Sequence, residues 1–126
     1  MNAVNFLFSF SGRISRQSFW GGVVGLLVVF FGAGAILSGM SGPDGKSEYD
    51  SALAILMLPG LWISLAIQVK RWHDRGRSGW RVLINLIPVI GAIWAFVELG
   101  ILPGTAGTNQ YGPDPLAASI QPPVPA

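Results

Sequence analysis

Residues 17–43 read QSFWGGVVGLLVVFFGAGAILSGMSGP and contain no charged side chain. Two further stretches share this property, one between Asp50 and Lys70 and one between Arg81 and Glu98. Within the three stretches we predict apolar helices at residues 19–39, 52–69 and 82–102. At 1.5 Å per residue each helix reaches roughly 27–31 Å, which matches the hydrocarbon core of a bilayer. The pattern predicts an all-α polytopic membrane protein with three transmembrane helices.

The composition favours the same class and argues against a soluble enzyme. The chain has 126 residues, of which 51% are hydrophobic and 11% are charged, whereas soluble domains carry about 25% charged residues. It contains no cysteine and one histidine, which excludes disulfides and, within one chain, a multi-histidine metal site. We expect a single membrane domain over residues 1–115 with no metal, no cofactor and no enzymatic activity. The Pro-rich residues 116–126 should form an extended or disordered tail.

The positions of Lys and Arg predict the topology. Segments 1–18, 40–51, 70–81 and 103–126 carry net charges of +2, −2, +4 and −1. By the positive-inside rule the N-terminus and the basic loop 70–81 are cytoplasmic, and the C-terminus is periplasmic or extracellular. The apolar residues 5–10 predict a short interfacial segment before the first span. The first span also has features of a cleavable signal peptide, but its apolar character continues through Leu37 and two further spans follow.

Small and polar residues within the spans predict how the helices pack. Gly21, Gly25 and Gly32 fall on one face of the first span and form a helix-packing stripe, since close backbone approach drives association in lipid. We expect this stripe to pack against the other helices of the chain, with a seam to a second copy or a partner as the alternative. Pro88 predicts a break in the third span, and Asn85 should bond to another helix.

The densest chemistry lies in the basic loop. Its candidate site for an anionic lipid or a phosphate consists of Arg71, His73, Asp74, Arg75 and Arg77, because guanidinium groups donate two parallel hydrogen bonds to phosphate. The alternative is that the loop only sets topology and anchors the chain at headgroups. No nucleophile accompanies the His–Asp pair, and a dozen residues between two spans form a poor surface for nucleic acid.

Glu98 is a candidate intramembrane ionisable group in the third span. Such residues are functional hypotheses by default. Its place four residues before Leu102, near the predicted outer edge, also fits an interfacial carboxylate.

Four motifs carry a resemblance to a known family. In order they are Phe10-x-Gly12-Arg13-x-Ser15-Arg16-x-x-Phe19-Trp20, then Arg71-x-His73-Asp74-x-x-x-Ser78-Gly79-Trp80, then Ile87-Pro88-x-x-Gly91, and finally Pro103-Gly104-Thr105-x-Gly107-x-Asn109-x-Tyr111-Gly112-Pro113-Asp114-Pro115. Together they resemble the bacterial inner-membrane family known as domain of unknown function 805, the YhaH-like proteins, over about residues 6–115. The resemblance implies a small polytopic inner-membrane protein and no established activity. With three crossings, the Gly-rich segment 103–115 and the basic loop should lie on opposite sides and share no site.

The leading functional hypothesis is a non-enzymatic scaffold, assembly factor or accessory subunit of the inner membrane. One alternative is an oligomeric transporter or channel component, favoured by Pro59, Pro88 and Glu98. Another is an anionic-lipid or phosphate-binding sensor at the cytoplasmic face. The expected partners are the lipid bilayer and a homo-oligomer or larger membrane complex, without nucleic acid.

Overall fold

The computed structural model describes residues 2–40, 42–43 and 46–117, without the side chains of residues 46 and 47. Its elements, in chain order, are α1 (Ala3–Phe8), α2 (Arg16–Met40), α3 (Lys46–Asp74), a 3₁₀-helix (Gly79–Leu86), α4 (Ile90–Ala95) and a π-helix (Phe96–Ile101). Within these described ranges the chain forms no strand, only an isolated bridge between Asn109 and Gly112. The all-α prediction is therefore confirmed for this part of the chain.

Helices α2 and α3 contain the first two predicted spans, and both are long and apolar enough to cross a membrane. Helix α3 continues through Pro59 without interruption and ends at Asp74. Gly76 follows with a φ of +72°, a left-handed stop that glycine adopts at low cost. The Ser78 hydroxyl then accepts a hydrogen bond from the Trp80 N–H at 3.3 Å and caps the 3₁₀-helix that follows.

The predicted third span, residues 82–102, is not one continuous helix. The 3₁₀-helix ends at Leu86, and Pro88 has no N–H with which to continue it. Val89 then adopts φ 63° and ψ −60°, and the Ile90 N–H donates to the Pro88 carbonyl at 2.7 Å. This is a γ-turn with positive φ, and it reverses the chain. Gly91 lies directly against the Ile84 carbonyl, where the two arms meet, so residues 79–101 form a helical hairpin.

Both arms of the hairpin end beside the same end of α3. At its start, Gly79 lies against Val69, where a Cβ would come within 2.7 Å of the valine side chain. Where the hairpin ends, Arg71 donates to the carbonyls of Leu99 and Leu102, at 2.7 and 2.6 Å. The hairpin therefore reverses within the molecule instead of running its length, and the prediction of three spans is not confirmed.

The hairpin reaches only partway along α3. Its Asn85 side chain donates to the Gln68 amide oxygen at 2.7 Å, which confirms the expected bond to another helix. A cavity beside the hairpin extends to Ser64, ten residues before Asp74. At 1.5 Å per residue this depth is ~15 Å, about half of a hydrocarbon core.

Buried residues concentrate at the Asp74 end of α3, which we call the charged end; the opposite end, at Met40 and Lys46, is the apolar end. The buried apolar side chains are Ile14, Phe19, Ala66, Ile67, Trp72 and Leu99. Between residues 20 and 65 no described side chain is buried. The tertiary structure is therefore built at one end of two long helices.

The N-terminal segment adds a short helix to the charged end. Helix α1 overlaps the predicted interfacial segment and packs against α3. The Lys70 ammonium donates to the carbonyls of Asn5, at 2.8 Å, and Phe6, and the Trp62 indole donates to the Phe8 carbonyl at 3.0 Å. Of the predicted tail 116–126, only residues 116 and 117 lie within the described part of the chain.

The glycine stripe of α2 does not pack within the chain. Gly21, Gly25 and Gly32 are exposed, and a Cβ at any of them would meet no atom within 4 Å. Intrachain packing through this stripe is therefore wrong. Gly22 takes that role, since a Cβ there would lie 2.7 Å from Ile67 and 3.3 Å from Phe6. A seam to a second copy or a partner stays a prediction.

Candidate functional site: a buried arginine–aspartate cluster

Asp74, the last residue of α3, is the centre of a buried charged cluster. Its Oδ1 atom accepts a hydrogen bond from Arg13 Nε at 3.0 Å, and its Oδ2 atom accepts one from Arg71. The side chains of both arginines are at most 1% exposed. Removing such charges from water is costly unless they are paired and their remaining donors are satisfied. We call Arg13, Arg71 and Asp74 the charged lock.

Arg13 connects the lock to the segment that follows the hairpin. Its NH1 atom donates to the carbonyls of Gly107 and Gly112, at 2.6 and 3.2 Å, and its NH2 atom donates to the Thr105 carbonyl at 2.5 Å. A planar guanidinium with five fixed donors suits such a ring of acceptors. Arg13 therefore holds residues 105–112 against the end of α3.

The turn formed by residues 105–114 positions these carbonyl acceptors. Gly107 and Gly112 have φ values of +76° and +135°, which only glycine adopts readily. Asn109 and Gly112 exchange two backbone hydrogen bonds at 3.1 Å. The Asp114 carboxylate accepts hydrogen bonds from the backbone N–H groups of Leu116 and Gly107, and these bonds lower the pKa of that carboxyl below its ordinary value. The turn is thus closed by its own hydrogen bonds.

Arg71 holds the end of the hairpin. Besides Asp74, its guanidinium donates to the carbonyls of Leu99 and Leu102, which lie where the π-helix ends and the last carbonyls lose their helical partners. On the other side of this arm, the Trp20 indole donates to the Gly100 carbonyl at 2.9 Å. The hairpin is therefore fastened to both α2 and α3.

The segment 103–115 and the basic loop share this site, so the expectation that they lie on opposite sides is wrong. The Thr105 N–H donates to the Asp74 carbonyl at 2.6 Å. Gly104 lies against the Asp74 carboxylate without room for a Cβ. The Asn109 amide donates to the His73 carbonyl at 2.8 Å. These bonds place the segment after the hairpin at the same end of the molecule as Arg13.

The five predicted phosphate-site residues do not form one site. Arg71 and Asp74 are buried in the lock, with their polar atoms already engaged. His73 is half-buried, with Nδ1 3.0 Å from the Gly12 carbonyl and its ring stacked on another side chain. Arg75 donates to Glu98 and to a backbone carbonyl. Arg77 is exposed and makes no side-chain hydrogen bond within the described ranges.

Glu98 lies at the charged end, so its predicted place near the outer edge of a third span is wrong. Its Oε2 atom accepts hydrogen bonds from Arg75 Nε at 3.1 Å and from NH2 at 2.9 Å. The hairpin turns the second arm back towards the basic loop, which brings these residues together. The carboxylate is therefore one half of an ion pair in this structure.

Sequence reasoning missed the role of Arg13. Its partner Asp74 lies 61 positions further along the chain, and nothing in local spacing joins the two. The only signal was the Gly12-Arg13 pair in the first family motif. Among the described residues, no group of three or more His, Cys, Asp or Glu side chains could hold a metal ion.

Comparisons with known proteins place this architecture in a family. Residues 7–113 match the profile of a family described as "Protein of unknown function (DUF805)", a range that contains the lock and the hairpin. The chain is 32% identical to "Uncharacterized protein YiiR" of Escherichia coli strain K12, with 90% of each protein covered. It is 32% identical to "Inner membrane protein YhaH" of the same organism, covering 84% of this chain and 86% of that protein.

A third relative carries a similar name. "Inner membrane protein YhaI" of Escherichia coli is 33% identical, over 84% of this chain and 85% of its own length. No solved structure matches the chain. The names of two relatives agree with the two long apolar helices in indicating the inner membrane. The chain belongs to the DUF805 family of proteins of unknown function and is an inner-membrane protein.

Proposed function

We propose that this protein is a non-enzymatic subunit of a larger inner-membrane assembly, acting as a scaffold, assembly factor or accessory subunit. The observation that carries the proposal is the tip of the hairpin. Leu86 and Val89 are 78% and 71% exposed there, and the Val89 N–H makes no hydrogen bond to any described residue. An unpaired backbone group in lipid costs several kcal/mol. Irregular backbone at this depth is therefore expected to be covered by another protein.

The conformation of the tip supports the same proposal. Val89 is β-branched, and a γ-turn with positive φ is strained for such a residue. Strain of this kind persists where surrounding contacts impose it. The described part of the chain offers few contacts at the tip, so a partner surface is the natural source of the missing ones.

The proposed topology has two crossings and a re-entrant hairpin. Seven of the eight Lys and Arg residues lie at the charged end, and Lys46 begins α3 at the other. The positive-inside rule then makes the charged end cytoplasmic. The N-terminal segment, the basic loop and residues 103–117 are all cytoplasmic in this proposal, which replaces a C-terminus outside the membrane.

The lock supports a structural role over a catalytic one. Each nitrogen of the Arg13 and Arg71 guanidinium groups donates to an acceptor of the protein itself. The Asp74 carboxylate is held by both arginines and covered by Gly104. A general base needs a free oxygen to take its substrate's proton, and both oxygens of this carboxylate already accept hydrogen bonds from buried arginines. The cluster therefore fits a device that fastens the hairpin and the last segment.

A test compares two matched isoleucines. Ile90 at the tip is 62% exposed, and Ile55 on the free surface of α3 is 68% exposed. The parent protein purified in mild detergent should form a stable complex with an unlike membrane protein. Ile90→Trp should lose that partner because the bulkier side chain alters a contact surface, whereas Ile55→Trp should keep it because lipid accommodates the change. A parent protein that purifies only as a 13.4 kDa monomer, or equal retention by both variants, contradicts the proposal.

A second candidate function, an oligomeric transporter or channel component, is favoured by a polar ladder beside the hairpin. Gln68 donates to the Ser64 hydroxyl at 3.1 Å, and Asn85 donates to Gln68. These groups border a cavity of about 260 Å³ between α2, α3 and the hairpin. Broken helices at half-depth are typical of transporter sites. A homo-oligomer that carries an ion or solute flux in proteoliposomes would favour this candidate over the first.

The third candidate, a phosphate or anionic-lipid sensor built on Arg71, has less support because that guanidinium is fully engaged. The exposed Arg77 can still attract anionic headgroups as a general anchor.

A further inference from the structure

A second cavity opens at the charged end, between α3, the start of the hairpin and the segment after it. Its volume is about 430 Å³. The walls are mainly apolar and include Leu65, Val69 and Val82, while His73 and Ser78 supply polar atoms and Trp80 forms part of the rim. None of these residues belongs to the charged lock. The cavity thus combines an apolar lining with a small polar region.

His73 presents a fixed hydrogen-bond acceptor to this cavity. Its Nδ1 atom lies 3.0 Å from the Gly12 carbonyl oxygen, which can only accept, so Nδ1 carries the proton. In the neutral ring Nε2 is then an acceptor, and it makes no hydrogen bond within the described ranges. The ring is held by a parallel stack on Tyr111, with centroids 3.9 Å apart and planes 5° from parallel.

Gly79 lines the cavity beside Nε2 and the apolar wall. A Cβ at Gly79 would lie 3.4 Å from His73 Nε2 and 2.7 Å from Val69. A Cβ there would therefore clash with the apolar wall at Val69 and come into van der Waals contact with Nε2. The sequence Ser78-Gly79-Trp80 supplies a hydroxyl, an opening and an aromatic rim in three consecutive residues.

Two arginines are chain neighbours of residues that line the cavity. Arg77 precedes Ser78 and is exposed, and the Arg81 guanidinium lies 5.9 Å from the centre of the Trp72 ring. A ligand that suits this environment has apolar chains, a hydroxyl donor and a negative charge. A phospholipid with a glycerol headgroup has all three, whereas an ethanolamine headgroup carries no net charge and brings an ammonium towards the same arginines.

We propose that this cavity binds phosphatidylglycerol. A headgroup hydroxyl donates to His73 Nε2, the phosphate lies towards Arg77, and an acyl chain follows Leu65, Val69 and Val82. This inference is independent of the proposed assembly role, because it concerns a different surface from the hairpin tip.

The single histidine of the chain makes nitrogen-15 NMR of labelled histidine an unambiguous first test. The parent protein in mild detergent is titrated with short-chain phosphatidylglycerol and, separately, with short-chain phosphatidylethanolamine. Phosphatidylglycerol should shift the Nε2 resonance with saturation and leave Nδ1 nearly unchanged. An Nε2 resonance that ignores phosphatidylglycerol, or responds equally to both lipids, overturns the proposal.

A substitution provides the second test. His73→Asn places an amide N–H near the position of Nδ1, which preserves a donor to Gly12, and removes Nε2. Native mass spectrometry with phosphatidylglycerol should show about tenfold weaker retention in this variant, the effect of one lost hydrogen bond. The control Asn85→Ala, which removes a polar group outside this cavity, should retain lipid like the parent. Equal retention by His73→Asn at an unchanged melting temperature would overturn the assignment of His73.

Discussion

The charged end and the apolar end differ more from each other than α2 differs from α3. At the charged end, Phe19, Ile67 and Trp72 are buried together with charged side chains. At the apolar end, Phe31, Ile36 and Leu58 are all exposed. In a soluble domain, burial follows hydrophobicity, but lipid is as apolar as these side chains and gives them no reason to associate. In this protein charged side chains are therefore buried, whereas the long apolar stretches of α2 and α3 form the exposed surface.

The comparison also indicates where stability resides. Ion pairs and hydrogen bonds at the charged end join α3 to α1, to the hairpin and to residues 103–112. At the apolar end, no described side chain of α2 or α3 is buried. Substitutions at the two ends should consequently differ in cost even when their chemistry is the same.

The largest expected effect comes from removing the centre of the lock. Asp74→Ala leaves the buried Arg13 and Arg71 without their carboxylate, and an unpaired buried charge costs about 3–5 kcal/mol. The free energy of unfolding in mixed detergent should fall by that order. The exposed Arg77→Ala is the control and should change it by less than about 0.5 kcal/mol. Equal stability of the two variants would show that the buried charged lock does not stabilise the fold.

A second prediction concerns Gly104, which lies against the Asp74 carboxylate. Gly104→Ala adds a methyl group where no space exists, so the segment must move away from the lock at a cost of about 2–3 kcal/mol. Limited proteolysis should cut residues 103–112 faster than in the parent. The neighbouring exposed Ala106→Ser serves as the control, and cleavage of both variants at the parental rate would show that the segment is not held at Asp74.

A third prediction separates two glycines one turn apart on α2. Gly22→Leu introduces a side chain against Ile67 and Phe6 and should destabilise the protein by about 1–2 kcal/mol. Gly25→Leu points into open space and should leave monomer stability within about 0.5 kcal/mol of the parent. Thermal melting in detergent measures both. The reverse order would show that the exposed stripe faces a helix.

The smallest expected difference uses one conservative change at both ends. Ile67→Val removes a methylene from the buried cluster and should cost about 1 kcal/mol. Ile36→Val removes the same group from an exposed position and should cost almost nothing. Chemical unfolding of the two variants side by side checks this, and equal costs would indicate that the apolar end is packed as well.

Sequence reasoning found α2 and α3 because the absence of charge over some twenty residues is a direct requirement of a bilayer. It misassigned residues 82–102 because composition does not distinguish a spanning helix from a hairpin of the same length. In the sequence Pro88 predicts a break in a span, and only the backbone reversal at Val89 shows that it begins a turn.

The candidate site was predicted in part, for a related reason. Residue types revealed the charges of Arg71 and Asp74 but not their partners, since Arg13 and the carbonyls of residues 105–112 reach them only after the hairpin reverses. The glycine pattern misled in the same manner. Periodicity identified a common face of α2, but the glycines of α2 that lie against other side chains are Gly22 and, at a greater distance, Gly34.

The central claim is that the segment after the hairpin lies on the same side of the membrane as the N-terminal segment. The chain contains no cysteine, so single cysteines introduced at Ser11, Pro43 and Thr108, all exposed, report their side without background. In intact cells an impermeant maleimide should label Pro43→Cys, and it should label Ser11→Cys and Thr108→Cys only after lysis. Labelling of Thr108→Cys from outside, with Ser11→Cys protected, would establish a third crossing and contradict the hairpin.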